Sequence, residues 1–101
     1  MKSREFKSTS FDDYFNEKMK DEAFRQKWEE FEPEYLAMRA VAEARIENNL
    51  SQKELSELSG INQSEISKIE SGSRNPSLRI LNRLAKAMGM EMKITFVPKI
   101  Q

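Results

Sequence analysis

The chain has 101 residues, with 17 basic and 17 acidic side chains and neither cysteine nor histidine. That length accommodates one compact domain and an appendage, and the missing residue types exclude disulfides, thiolate metal sites and nucleophile–base pairs built on histidine. Residues 1–50 carry 9 basic and 12 acidic side chains and residues 51–101 carry 8 and 5, so a net charge of zero hides a −3 half beside a +3 half.

Residues 1–9 are polar and without pattern, as a flexible end is. Ser10 is placed to cap a first helix, with Asp13 at its acidic first-turn position. Phe11, Phe15, Met19 and Ala23 recur every fourth residue, which stacks them on one face. Asp21 reads as a second cap, after which Phe24, Trp28 and Phe31 build a second aromatic stripe. Two helices, or one kinked helix, fit this spacing. Pro33 is expected to end the element before it and to sit in the first turn of the next. That next helix spans Glu34–Glu47, with Ala37, Met38, Val41 and Ala44 inward and a left-handed stop at Asn48–Asn49.

The elements then shorten. Ser51 caps a helix with Leu55 and Leu58 inward, and Glu54 completes a capping box. Gly60 stops it, Ile61 bridges, and Asn62 caps a helix over Gln63–Glu70 with Ile66 and Ile69 inward. Ser71–Gly72 ends that helix. Asn75–Pro76–Ser77 is a turn and cap leading into Leu78–Met88, with Leu78, Leu81, Leu84, Ala85 and Met88 expected to be buried and Gly89 closing the element. In the tail, Met90, Met92, Ile94 and Phe96 alternate with Glu91, Lys93, Thr95 and Val97, a strand pattern that Pro98 ends. A lone strand leaves half its backbone groups unpaired, so a second copy of the chain is the expected partner. A tail packed on its own domain is the alternative.

No apolar run approaches the roughly 20 residues of a membrane span, and the first residues carry no apolar segment of a secretory kind. A cytoplasmic protein without a membrane partner is expected. Catalysis without histidine or cysteine would need a carboxylate pair or an activated serine or lysine in a pocket, and short helices make that a poor prospect. The chain is therefore read as a non-enzyme with no cofactor.

Function concentrates in Leu50–Pro76, LSQKELSELSGINQSEISKIESGSRNP. Two helices shorter than ten residues flank Gly60, and Leu55, Leu58, Ile61, Ile66 and Ile69 converge between them, which sets the second helix steeply across the first, a helix-turn-helix. The second helix leaves Gln63, Ser64, Ser67 and Lys68 on one outer face. These side chains donate and accept hydrogen bonds as base edges in a major groove require, Gln63 suiting adenine and Lys68 guanine. Between Lys68 and Lys86 five bases (Lys68, Arg74, Arg79, Arg83, Lys86) stand against one acid, Glu70, which suits a polyanion.

These motifs resemble the DNA-binding domain of the phage repressor, Cro and Xre family. L-S-Q-x-E-L stands at Leu50–Leu55, G-I-x-x-x-x-I-S-x-I-E-x-G at Gly60–Gly72, and R-x-P-S-L-x-x-L-x-x-L-A-x-A-M-G at Arg74–Gly89. The resemblance covers about Tyr35–Gly89. It implies an all-α fold: a five-helix phage-repressor-like domain over 33–89, preceded by a helical arm over 1–32 and followed by one strand over 90–101. It implies that Gln63, Ser64, Ser67 and Lys68 read bases in double-stranded operator DNA. Gln52 would touch a phosphate or brace the first reader. Arg74 and Asn75 would grip phosphates from the loop after the recognition helix, and Lys53 and Arg45 are further backbone candidates. Arg45 stands in a helix rich in alanine that lacks the family's basic cluster. Glu70 matches a position with a local structural role. Family members dimerise to place two recognition helices about 34 Å apart, and Met92, Ile94 and Phe96 of the tail are the expected dimer contacts.

The arm holds Phe11, Tyr14, Phe15, Phe24, Trp28 and Phe31 among acids at Asp12, Asp13, Glu17, Asp21, Glu22, Glu29, Glu30 and Glu32. These aromatic side chains either enlarge a small core or offer a surface to a basic protein by helix-in-groove binding. K-D-x-x-F-R at Lys20–Arg25, E-P-E-Y at Glu32–Tyr35 and E-M-K-I-T-F-V-P at Glu91–Pro98 together resemble HigA-type antitoxins. That resemblance implies a basic HigB-like ribonuclease toxin of the RelE type as partner, and repression of the protein's own operon. A stand-alone Xre-type repressor is the other reading.

Overall fold

The structure is a computed structural model and describes residues 9–100, with side chains from Asp12 onward. Residues 1–8, most of the patternless leading segment, and the side chain of Phe11 lie outside the described residues. Five helices follow in order: α1 (Thr9–Lys18), α2 (Glu22–Glu47), α3 (Gln52–Ser59), α4 (Gln63–Ser71) and α5 (Leu78–Ala87). The chain divides into two compact units, one ending at Pro33 and one beginning at Glu34.

Within the first unit, Asp21 caps α2 as its position suggests, its Oδ1 accepting from the Ala23 amide at 3.0 Å. Arg25 braces the turn between the helices, donating from Nη1 to the Met19 carbonyl at 3.0 Å and pairing with Glu22. Phe15 meets both Phe24 and Trp28 edge-on, with ring centroids 6.2 and 5.2 Å apart. Pro33 corrects the expected boundary, because it lies inside α2 and does not separate two helices. A proline removes one hydrogen bond, to the carbonyl four residues before it. The residues around it, largely Glu, Ala, Leu, Met and Arg, favour the helix strongly enough to carry it through.

In the second unit, the Glu34–Glu47 part of α2 joins α3, α4 and α5 around Val41, Leu55, Ile61, Ile66, Ile69 and Leu84, none more than 5% exposed. Leu50, Ile80, Leu81, Ala87 and Met88 pack round this core. The five helices are thus shared between the two units, and the domain itself is not five-helical. Asn49 takes the left-handed conformation after α2, with φ 58°. Ser51 forms the full capping box with Glu54, and Ser77 caps α5 through the Ile80 amide. Asn62 stands at the start of α4 but makes no side-chain capping bond.

Three expectations fail here. Leu58 and Leu78 are 59% and 60% exposed. At 3.6 residues per turn each sits about 100° round its helix from the middle of the buried stripe. In α3 that stripe runs through Gln52, Leu55, Ser56 and Ser59. The strand expected over Met90–Val97 is absent, since residues 90–100 have no regular secondary structure. A strand exists only by bonding to another, and the described residues contain no second one.

Candidate nucleic-acid interface

The turn between α3 and α4 sets how α4 is presented. Gly60 ends α3 with φ 75°, and its amide closes on the Ser56 carbonyl. Ser56 Oγ donates to the Ile61 carbonyl at 2.6 Å, which anchors the link before α4 begins. Arg83 of α5 donates from Nη2 to the Ser59 carbonyl at 3.0 Å, so a third helix holds the same corner. No sequence motif marks Arg83 as a support for this turn: its partner stands 24 residues earlier, and only the packing of α5 brings the two together.

α4 is amphipathic in a simple way. Ile66 and Ile69 are wholly buried, while Gln63, Ser64, Ser67 and Lys68 are all exposed. The four proposed base readers thus share the outward side of one helix whose inner side is locked into the core. Gly72 closes α4, and the Lys68 carbonyl accepts from the Gly72, Ser73 and Arg74 amides. The loop carrying Arg74 is therefore tied to the end of α4.

The supporting residues separate into two groups. Arg45, Gln52 and Glu70 meet in one cluster. Arg45 donates from Nε to Glu70 Oε2 at 2.7 Å and from Nη2 to Oε1 at 2.8 Å, and its Nη1 reaches the Leu50 carbonyl at 2.9 Å. The Gln52 amide donates to Glu70 Oε1 at 3.0 Å. Burial pushes the Glu70 carboxyl up, but the hydrogen bonds from Arg45 and Gln52 and the Arg45 charge outweigh it, so the carboxyl lies below its ordinary value. Arg45, Gln52 and Glu70 therefore bind α2, α3 and α4 to one another. The second group is exposed: Lys53 stands on α3, Arg74 pairs with Glu65 at 3.3 Å, and Asn75 donates to Glu34 at 3.0 Å.

Of the arm residues, Phe24 and Trp28 are half-buried and both meet the half-buried Phe15, and Phe31 adds to them with its ring 5.9 Å from Trp28. Tyr14 is 61% exposed, with the Lys18 ammonium 5.8 Å from its ring centroid. In the tail, Met92 is half-buried whereas Ile94 and Phe96 are exposed.

Among the described residues there is no group of acidic side chains able to hold a metal ion, and no helix long and apolar enough to cross a membrane. The model of the helix-turn-helix family matches residues 41–93, which runs from the end of α2 through α5 into the tail. No curated protein and no solved structure matches the chain.

Proposed function

We propose, from the premise that this chain belongs to the helix-turn-helix family of sequence-specific DNA-binding transcription regulators, that α4 reads operator bases through Gln63, Ser64, Ser67 and Lys68. The observation that carries this is the exposure of all four on a helix whose opposite face is fully buried. Gln63 suits the paired donor and acceptor of adenine, and Lys68 suits the guanine acceptors. Lys53, Arg74 and Asn75 contact phosphates beside it. Gln52, already held by Glu70, is turned toward a support role. The test is selection of operator sequences by the purified chain. Gln63→Ala and Lys68→Ala should each relax preference at one base pair, by about 1–3 kcal/mol. Unchanged sequence preference in both variants removes this face from the interface.

The protein works as a homodimer in this reading, paired through Met92, Ile94 and Phe96, with the tail of the second copy supplying the pairing strand. It performs no catalysis. Its second role is that of an antitoxin, masking a basic ribonuclease toxin of the HigB and RelE type and repressing its own operon. The support is the resemblance of the arm and tail motifs to HigA-type antitoxins, together with exposed Tyr14 and Phe31 on an acidic unit. The alternative is a stand-alone Xre-type repressor, favoured by the packing of Phe24 and Trp28 on Phe15, which gives those rings a structural role. Co-expression with the product of the adjacent gene separates the two. Co-purification and rescue of growth support the antitoxin, and failure of both leaves the repressor.

A further inference from the structure

Ala37, Ala40 and Ala44 of α2 line a groove with Leu81, Ala85 and Met88 of α5, and the groove has a volume of about 260 Å³. Met90–Lys93 of the tail form its remaining edge. The alanines leave the space, because on this face α2 sets three methyl groups beside Val41, opposite Leu81, Leu84 and Met88 of α5. Beyond the edge the tail turns apolar and exposed: Ile94 is 57% exposed and Phe96 98%. An apolar cavity of about 150 Å³ is enough to hold a benzene ring. The groove therefore has room for a phenyl ring that the same chain leaves in water.

We propose that the occupant of this groove is the tail of a second copy, with Phe96 of each chain seated between α2 and α5 of the other. This rests on the dimer reading given above and identifies where the tail docks. Charge selects the register. In an antiparallel crossing centred on Met92, Glu91 of one copy faces Lys93 of the other, on both sides of the two-fold axis. Centring on residue 91 or 93 would set like charges face to face, which is unfavourable. The Met92 register also places Ile94 against the second copy's Met90 and carries Phe96 toward its Met88, both of which line the groove. Residues 90–93 all edge the groove in the single chain; once paired and extended, the even-numbered residues share one side, which would set Met90, Met92, Ile94 and Phe96 toward it together. The exchange is reciprocal, as a two-fold interface requires.

The experiment measures the dimer dissociation constant of the full chain by sedimentation equilibrium. Phe96→Ala removes the anchor at an exposed position, and Ala40→Trp fills the groove. Each should weaken the dimer by at least about tenfold, while helical circular dichroism stays as in the parent chain and melting matches it at concentrations low enough for every chain to be monomeric. Mixing the two variants is the decisive step. The Phe96→Ala chain has an open groove and the Ala40→Trp chain an intact anchor, so the mixture should form a heterodimer tighter than either variant alone. If a different occupant fills the groove, or Phe96 folds back on its own chain, Phe96→Ala leaves the constant unchanged and the proposal falls. It also falls if mixing restores nothing, or if the parent chain stays monomeric. A monomer that still selects an operator overturns this docking and leaves the DNA-binding reading in place. A dimer sensitive to Phe96→Ala but without sequence preference does the reverse.

Discussion

Arg45 and Glu70 form a two-pronged ion pair across 25 residues of sequence, with both side chains at most 15% exposed. A guanidinium and a carboxylate in this geometry make charge-assisted bonds that are short and directional. The pair joins the last turn of α2 to the end of α4, and Gln52 brings the first turn of α3 to the same carboxylate. α4 is thereby held at both ends, by this cluster and by the Gly60 turn.

Glu70→Gln should destabilise the domain by roughly 2–3 kcal/mol, because it leaves the Arg45 charge without its counter-ion. Denaturant unfolding at neutral pH measures this, and a double-mutant cycle with Arg45→Met isolates the pair.

The same carboxyl predicts a pH dependence. Its folded value lies below its ordinary value of 4.5, so the folded state releases this proton more readily than the unfolded one. Its contribution is fully present above that ordinary value and is lost as pH falls through the lowered folded value. Melting temperature followed from neutral to acid pH should show this loss in the parent chain and a shallower one in Glu70→Gln.

Gly60→Ala should cost roughly 1–2 kcal/mol from the left-handed conformation alone. It should cost more than Gly89→Ala, whose φ is nearly the same. An added Cβ at Gly60 would lie 3.1 Å from Arg83 Nη2, whereas one at Gly89 meets nothing within 4 Å. Comparing the two denaturation midpoints reads out the contact between α5 and the turn. Equal losses would show that Arg83 yields freely.

Arg74→Ala should weaken binding to all DNA sequences alike and lower the slope of log affinity against log salt by about one, as loss of a single phosphate contact does. Its neighbour Glu65 stands 3.3 Å away on a half-exposed pair, so little stability is at stake. Titrations at several salt concentrations, run beside Lys68→Ala, distinguish a phosphate contact from a base reader.

Ser51→Ala should cost about 1 kcal/mol through loss of the cap on α3. The Ser51 hydroxyl accepts from the Glu54 amide at 3.0 Å, and Glu54 accepts in return from the Ser51 amide at 2.8 Å. Thermal melts of the single variant suffice to measure it.

What the sequence by itself determined is local. Capping side chains act within three residues of their partners, and the left-handed stops act at single positions. Ser51, Asn49, Gly60 and Ser77 therefore do in the fold what their spacing predicts. The inward isoleucines of α4 follow from helical period, and so does the outward set Gln63, Ser64, Ser67 and Lys68. The tertiary structure decided what depends on distant neighbours. The exposure of Leu58 and Leu78 was settled by which side of α3 and α5 meets the core, a choice that apolar character alone leaves open. Pro33 stayed in a helix because one missing bond is outweighed by many others along α2. Arg45, Gln52 and Glu70 became one cluster only when three helices converged. The tail shows the difference most plainly: its alternation marks it as strand-forming, yet a strand needs hydrogen bonds from a second strand, and the described residues of a single chain supply none.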